Sequence, residues 1–207
     1  MTPRKDRHSA VFQIGDELHT RTPCWFNRAQ NWFVTKPGET PTLSFHVGGF
    51  ISPTCVMNAH FPRVRARAWP GYRDTLEAAG GEWCVLRPSI ALSEQEQDTY
   101  RTFMLRHEGA RYSVPEIGGQ AIDGLVSRLL RKNVTWFAAA IDRVPQWVIC
   151  SGLEARAYAE MGRLPEDMVH GSPDDLWDYR YRQMDRGEVY IVDHTPGWLD
   201  PVIKELL

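Results

Sequence analysis

Two short apolar runs constrain this chain more than anything else in it. Residues 45–51 (FHVGGFI) and 55–61 (CVMNAHF) are separated only by Ser52, Pro53 and Thr54. A gap that short leaves no room for a crossover helix, so the runs can pair only with each other, antiparallel, as a hairpin. Residues 64–69 (VRARAW) alternate with period two and continue the meander. Residues 83–86 and 188–193 (EVYIVD) read as further strands.

The hairpin also sets a register. If all three of Ser52, Pro53 and Thr54 form the loop, Gly48 opposes Asn58 and His46 opposes His60, and the four share one face. Asn58 then lies diagonally from His46, at roughly 7–8 Å between backbones. A two-residue loop would shift the register by one and turn Asn58 away.

From Ser93 the period changes to that of a helix. Ser93 and Glu96 form a capping box, and Tyr100, Phe103, Met104 and His107 recur at helical spacing up to Gly109. A second helix is expected over 117–131, with Ile122, Leu125, Val126, Leu129 and Leu130 on one apolar face. Trp136–Ile141 adds a short helical turn. The run QWVIC then gives way to SGLEARAYAEMG, a helix that Gly162 stops and whose mouth holds Cys150. Ser172 with Asp175 caps one more short turn. Together these elements predict one α+β domain spanning 1–207.

Composition narrows the function classes. The 207 residues are 43% hydrophobic, enough for a sizeable core. Lys and Arg total 24 against 26 acidic residues, a formal net charge of -2, so no nucleic-acid footprint is expected. The apolar stretch WFAAAI falls far short of the roughly 20 residues that cross a bilayer. The N-terminal segment lacks an apolar run of signal-peptide length, so a cytoplasmic location is expected. Cys24, Cys55, Cys84 and Cys150 form no CxxC pair, and neither a zinc knuckle nor a disulfide framework is suggested.

Cys150 and His46 carry the chemistry. A thiol at a helix N-terminus feels free backbone amides and the positive end of the helix dipole, which favour thiolate. Beside a protonated imidazole such a thiol titrates at about 3.5–7.5 instead of about 8.5. The other reading is a small buried hydrophobe ending WVI. His46 sits in an apolar strand that otherwise has no reason to include an imidazole, a satisfied core histidine being the other reading, and Asn58 or His60 could orient it. Cys55, His60 and His46 could also bind zinc, but Cys55 falls on the opposite strand face and no fourth ligand is evident.

Read in order, GDELHTR from Gly15, FHVGGF, VMNAHFPRVRARAW, RYSVPEIG from Arg111 and ICSGLEARAYAEMG resemble the permuted branch of the NlpC-type, papain-like cysteine peptidase superfamily. In unpermuted members the Cys helix comes first. Here it follows the GD and HVG segments, the order of YiiX-like and lecithin retinol acyltransferase-like relatives. The resemblance implies a papain-like antiparallel sheet with helices packed around it. It also implies Cys150 as nucleophile, His46 as base, Asn58 as the polar third position, and a structural role for Gly15 and Asp16.

Four departures stand out: Gly49 replaces a bulky apolar residue, Gly152 stands where many relatives have Glu, Asn58 stands where Glu is common, and Glu17 with His19 makes the first strand polar. Residues 22–42, with Cys24, Trp25, Phe26, Trp32 and Phe33, form either a lid or a packed loop, and packing is favoured.

The function so implied is cysteine-dependent cleavage of an amide in a peptide or cell-wall stem peptide, through a thioester and without metal or cofactor. A wall-cutting version would have to leave the cell by lysis or in a phage particle. The alternatives are an acyl-ester hydrolase or acyltransferase acting on lipid or another acylated small molecule, and a catalytically silent binding module.

Overall fold

The hairpin forms the middle of the sheet. The computed structural model describes residues 11–22, 46–131, 134, 136–141, 147–170 and 172–198. Its strands are β1 (Glu17–Arg21), β2 (His46–Ser52), β3 (Cys55–His60), β4 (Arg63–Ala68), β5 (Glu82–Pro88), β6 (Arg111–Tyr112), β7 (Trp147–Val148) and β8 (Val189–His194). They form one sheet in the order β7-β6-β4-β3-β2-β1-β5-β8. Every neighbouring pair is antiparallel except β6 with β7. The helices are α1 (Trp69–Ala78), α2 (Glu94–Arg106), α3 (Val114–Leu130), α4 (Trp136–Ile141), α5 (Cys150–Glu160) and α6 (Pro173–Asp185). The α+β expectation holds. The aromatic-rich segment 22–42 lies outside the described residues apart from Thr22 at its start.

The hairpin reaches its expected register by an unexpected route. Ser52 pairs with Cys55, so the turn is the two residues Pro53 and Thr54 rather than three. A register shift between Phe50 and Ser52 inserts one residue on β2 and restores Gly48 opposite Asn58. The bulge does the work that the longer loop was expected to do.

Alternation along the strands splits the core in two. Val47, Ile51, Met57 and Ala59 point to one side, where they meet Tyr100 and Met104 of α2, Cys150 and Leu153 of α5, and Leu176 of α6. Leu18, Phe50, Val56 and Trp83 point to the other, against Trp69, Tyr72 and Leu76 of α1. Fully burying one such large side chain contributes about 1.5–3 kcal/mol, so both faces are firmly covered where these residues stand.

Local signals account for most helix ends. Ser93 accepts from the Glu96 amide and the Glu96 carboxylate accepts from the Ser93 amide, the expected capping box. Gly109 and Gly162 take positive φ where α2 and α5 end. Three features depart from the sequence reading. α1 springs directly from the end of β4, with Pro70 in its first turn. α6 is a 13-residue helix, not a single turn. The apolar face of α3 is not buried: Ile122, Leu125 and Leu129 are exposed. Among the described residues no helix is long and apolar enough to cross a membrane.

Candidate active site

Cys150 is the first residue of α5, with Ile149 in extended conformation as N-cap. Its thiol lies against β2. The backbone amides of Val47, Ser151 and Cys150 itself and the Tyr112 hydroxyl all act on it in the sense that favours thiolate. Burial opposes them and wins: the residue is only 2% exposed, and enclosure pushes the thiol above its ordinary range. The sequence reading expected the helix terminus to lower it. The amides are present as expected, but the loss of solvation outweighs them.

His46 opens β2, next in the chain to the Val47 amide that meets the thiol. The residue is half-buried, with its Nε2 enclosed. Burial first, then the positive charges of His60 and Arg67, hold the imidazole down to about 3. At neutral pH the thiol and the imidazole are therefore both uncharged, and no thiolate–imidazolium pair stands preformed.

Strand alternation decides which groups share a side. Val47 and Gly49 face α5; His46, Gly48, Asn58 and His60 face the α1 side, as the register requires. The rings of His46 and His60 meet edge to face with centroids 5.5 Å apart. Asn58 is fully buried, and neither its amide nitrogen nor its oxygen bonds to any described residue. Thiol and imidazole thus flank one peptide unit, His46–Val47, with the imidazole on the α1 side and α5 on the other. Cys55 packs with the α5-side core, away from His46 and His60. Among the described residues no cluster of three or more His, Cys, Asp or Glu could hold a metal ion. Cys55, Cys84 and Cys150 are free thiols.

The polar character of β1 has a structural cause. Glu17 is buried and receives Arg180 of α6 through two bonds of 2.7 Å, a fork-to-carboxylate pair. Although burial pushes Glu17 up, Arg180 and His19 bring it to about 2. One turn along α5 from Cys150, Glu154 accepts a 2.5 Å bond from the Tyr100 hydroxyl. Burial and the neighbouring charge of Glu17 push Glu154 well above the usual carboxylate range, so it persists as the neutral acid. This pair explains Gly49: a methyl group there would overlap the Tyr100 hydroxyl and the Glu154 carboxyl. Gly15 and Asp16 are structural, as expected. Gly15 has φ +85. Asp16 receives two bonds from Arg87 and one from the Gln13 amide.

Sequence reasoning named neither Tyr112 nor Glu154 as part of this site. Tyr112 lies in the quoted RYSVPEIG segment, and Glu154 lies four residues after Cys150 and hence on the same helix face. Those spacings were the available signals.

No family model and no curated protein matches the chain. Among solved structures it is similar to the crystal structure of the metalloprotein yiiX from Escherichia coli O157:H7. The identity is 15% and the TM-score 0.49, over 73% of this chain and 68% of that one.

Proposed function

We propose that the chain is a thiol-dependent hydrolase. For turnover the His46 ring must turn from the α1 side to the sulfur and take the proton of Cys150; the sulfur then attacks an acyl carbonyl, the amine or alcohol leaves, and water cleaves the resulting thioester. The observation that carries this reading is the setting of Cys150. It stands at a helix N-terminus where the Val47 and Ser151 amides and the Tyr112 hydroxyl favour its thiolate, and Val47 is one residue along β2 from an imidazole. Amides so placed serve equally to hold an oxyanion. The motif order supports the same assignment, with an amide in a peptide or stem peptide as the preferred bond and Asn58 or His60 beside His46.

A second reading, a silent binding module, is favoured by one observation: Cys150 is buried and α5 lies across the sheet from the His46 ring. A cysteine-directed acyl probe separates the two. The hydrolase reading expects selective labelling of Cys150 at neutral pH that disappears in both Cys150→Ser and His46→Ala. Equal, slow labelling of every thiol rejects it. With a cleaved substrate in hand, Asn58→Ala should cost less turnover than Cys150→Ser or His46→Ala. A crippled His60→Ala beside an unaffected Asn58→Ala would transfer the third position to His60.

A further inference from the structure

The strand face that carries His46 also carries a line of positive charge. β4 sets Arg63 opposite His60, Arg65 opposite Asn58 and Arg67 opposite Val56. Paired residues point to the same side of a sheet, so the three guanidinium groups flank the row that contains His46, Asn58 and His60. Among the described residues none of the three makes an ion pair with a carboxylate. Arg63 donates to the Gly109 carbonyl at 3.3 Å, and Arg67 lies over the Tyr72 ring, 5.1 Å from its centroid. Arg65 is exposed and bonds to no described residue. Beside it, Asn58 is fully buried with its amide donor and acceptor both unused among the described residues. An amide enclosed without a partner costs about 1–3 kcal/mol, a penalty removed when a ligand supplies the missing bonds.

We infer that Arg65, Arg67 and Asn58 form the binding site for a carboxylate on the substrate. The guanidinium forks match the two oxygens of a planar carboxylate. The Asn58 amide donates to the same group and accepts from a neighbouring peptide N–H. The bound negative charge also offsets the repulsion that Arg67 and His60 exert on His46. The ligand class is thus an acyl or peptidyl compound with a free carboxylate beside a peptide N–H. The word substrate rests on the hydrolase reading; the binding site does not.

The test is titration of the full-length Cys150→Ser protein, which cannot turn over, followed by ¹H–¹⁵N spectra of the Arg65 side chain and the Asn58 amide. The probes are hippurate, which has a carboxylate next to a peptide N–H, its neutral analogue hippuramide, and phenyl phosphate. Saturable shifts at both residues are expected with hippurate, with hippuramide and phenyl phosphate at least about tenfold weaker. Arg65→Gln should weaken hippurate by about tenfold or more, Arg65→Lys by less, and the exposed Arg101→Gln on α2 not at all. Equal binding of hippuramide, or indifference to Arg65→Gln, overturns the site. Tighter binding of phenyl phosphate overturns the choice of carboxylate. Failure of Cys150 labelling with hippurate binding intact would reject the hydrolase alone; labelling without hippurate binding would reject this site alone.

Discussion

The same strands carry polar groups on both faces, and the two faces treat them differently. On the α5 side, Glu17 is enclosed with Arg180 in a two-bond pair, and Glu154, kept as the neutral acid, accepts from the Tyr100 hydroxyl at one oxygen while its other oxygen bonds to no described residue. On the α1 side, Asn58 is enclosed with no partner among the described residues and Arg65 stands exposed without one. A buried ion pair whose bonds are complete is architecture: it locks β1 to α6 across 163 residues of sequence. A buried amide with nothing to bond is a cost that packing alone does not repay, and it calls for a physical explanation such as a bound ligand, ion or water. The Glu17–Arg180 pair holds β1 to α6, whereas the proposed carboxylate site lies on the other face, beside His46.

The largest test of that contrast is Arg180→Met. It leaves Glu17 buried without its partner and should cost about 3–5 kcal/mol of stability in urea denaturation. A loss below 1 kcal/mol would show that water reaches Glu17 and that the pair is not architecture. Gly49→Val comes next. Its side chain would drive apart Tyr100 and Glu154, and overpacking of this kind costs about 1–3 kcal/mol. An unaltered melting temperature would break the explanation of why glycine stands there.

The two faces also predict opposite responses to pH. In the folded protein His46 is held to about 3, against about 6.5 for an unfolded histidine, so on acidification the unfolded chain takes up this proton first. The stability from the neutral ring is complete above about 6.5 and is lost as pH falls from there to about 3. His46→Gln should flatten the stability curve across that window. Glu154 has the opposite sign. Its folded pKa is raised, so its contribution is complete below the unfolded value and declines as pH rises above it. Glu154→Gln should therefore gain stability relative to the parent at pH 8 and little at pH 4. A gain independent of pH would refute the neutral acid.

The smallest expected effect is the most telling. Asn58→Leu replaces an unbonded buried amide by an apolar group of similar size, and its stability should lie within about 1 kcal/mol of the parent or above it. A loss as large as that of Arg180→Met would mean that the amide has a structural partner and that the two faces do not differ.

How much of this was legible depended on how local the cause was. The capping box at Ser93, the stop at Gly162 and the start of α5 at Cys150 are set within a few residues of chain, and each stood out as a pattern. α1 did not, because VRARAW runs unbroken to Trp69 and the switch from period two to helical spacing falls on that residue itself. The length of α6 was hidden in DDLWDYRYRQMD, a polar run whose anchor is the distant Glu17. The register was foreseen for the wrong reason, since a bulge rather than the loop supplied the extra residue.

The amino-acid order alone determined an antiparallel hairpin in an α+β domain and a thiol at a helix mouth, because hydrogen-bond geometry and side-chain period act over a few residues, while the bulge in β2 decided that His46, Asn58 and His60 share a face. Only the tertiary structure decided the charge states. Whether the thiol is poised, whether Glu154 is ionised and whether Asn58 is satisfied depend on what distant segments exclude water from each group, and desolvation is a property of the packed whole.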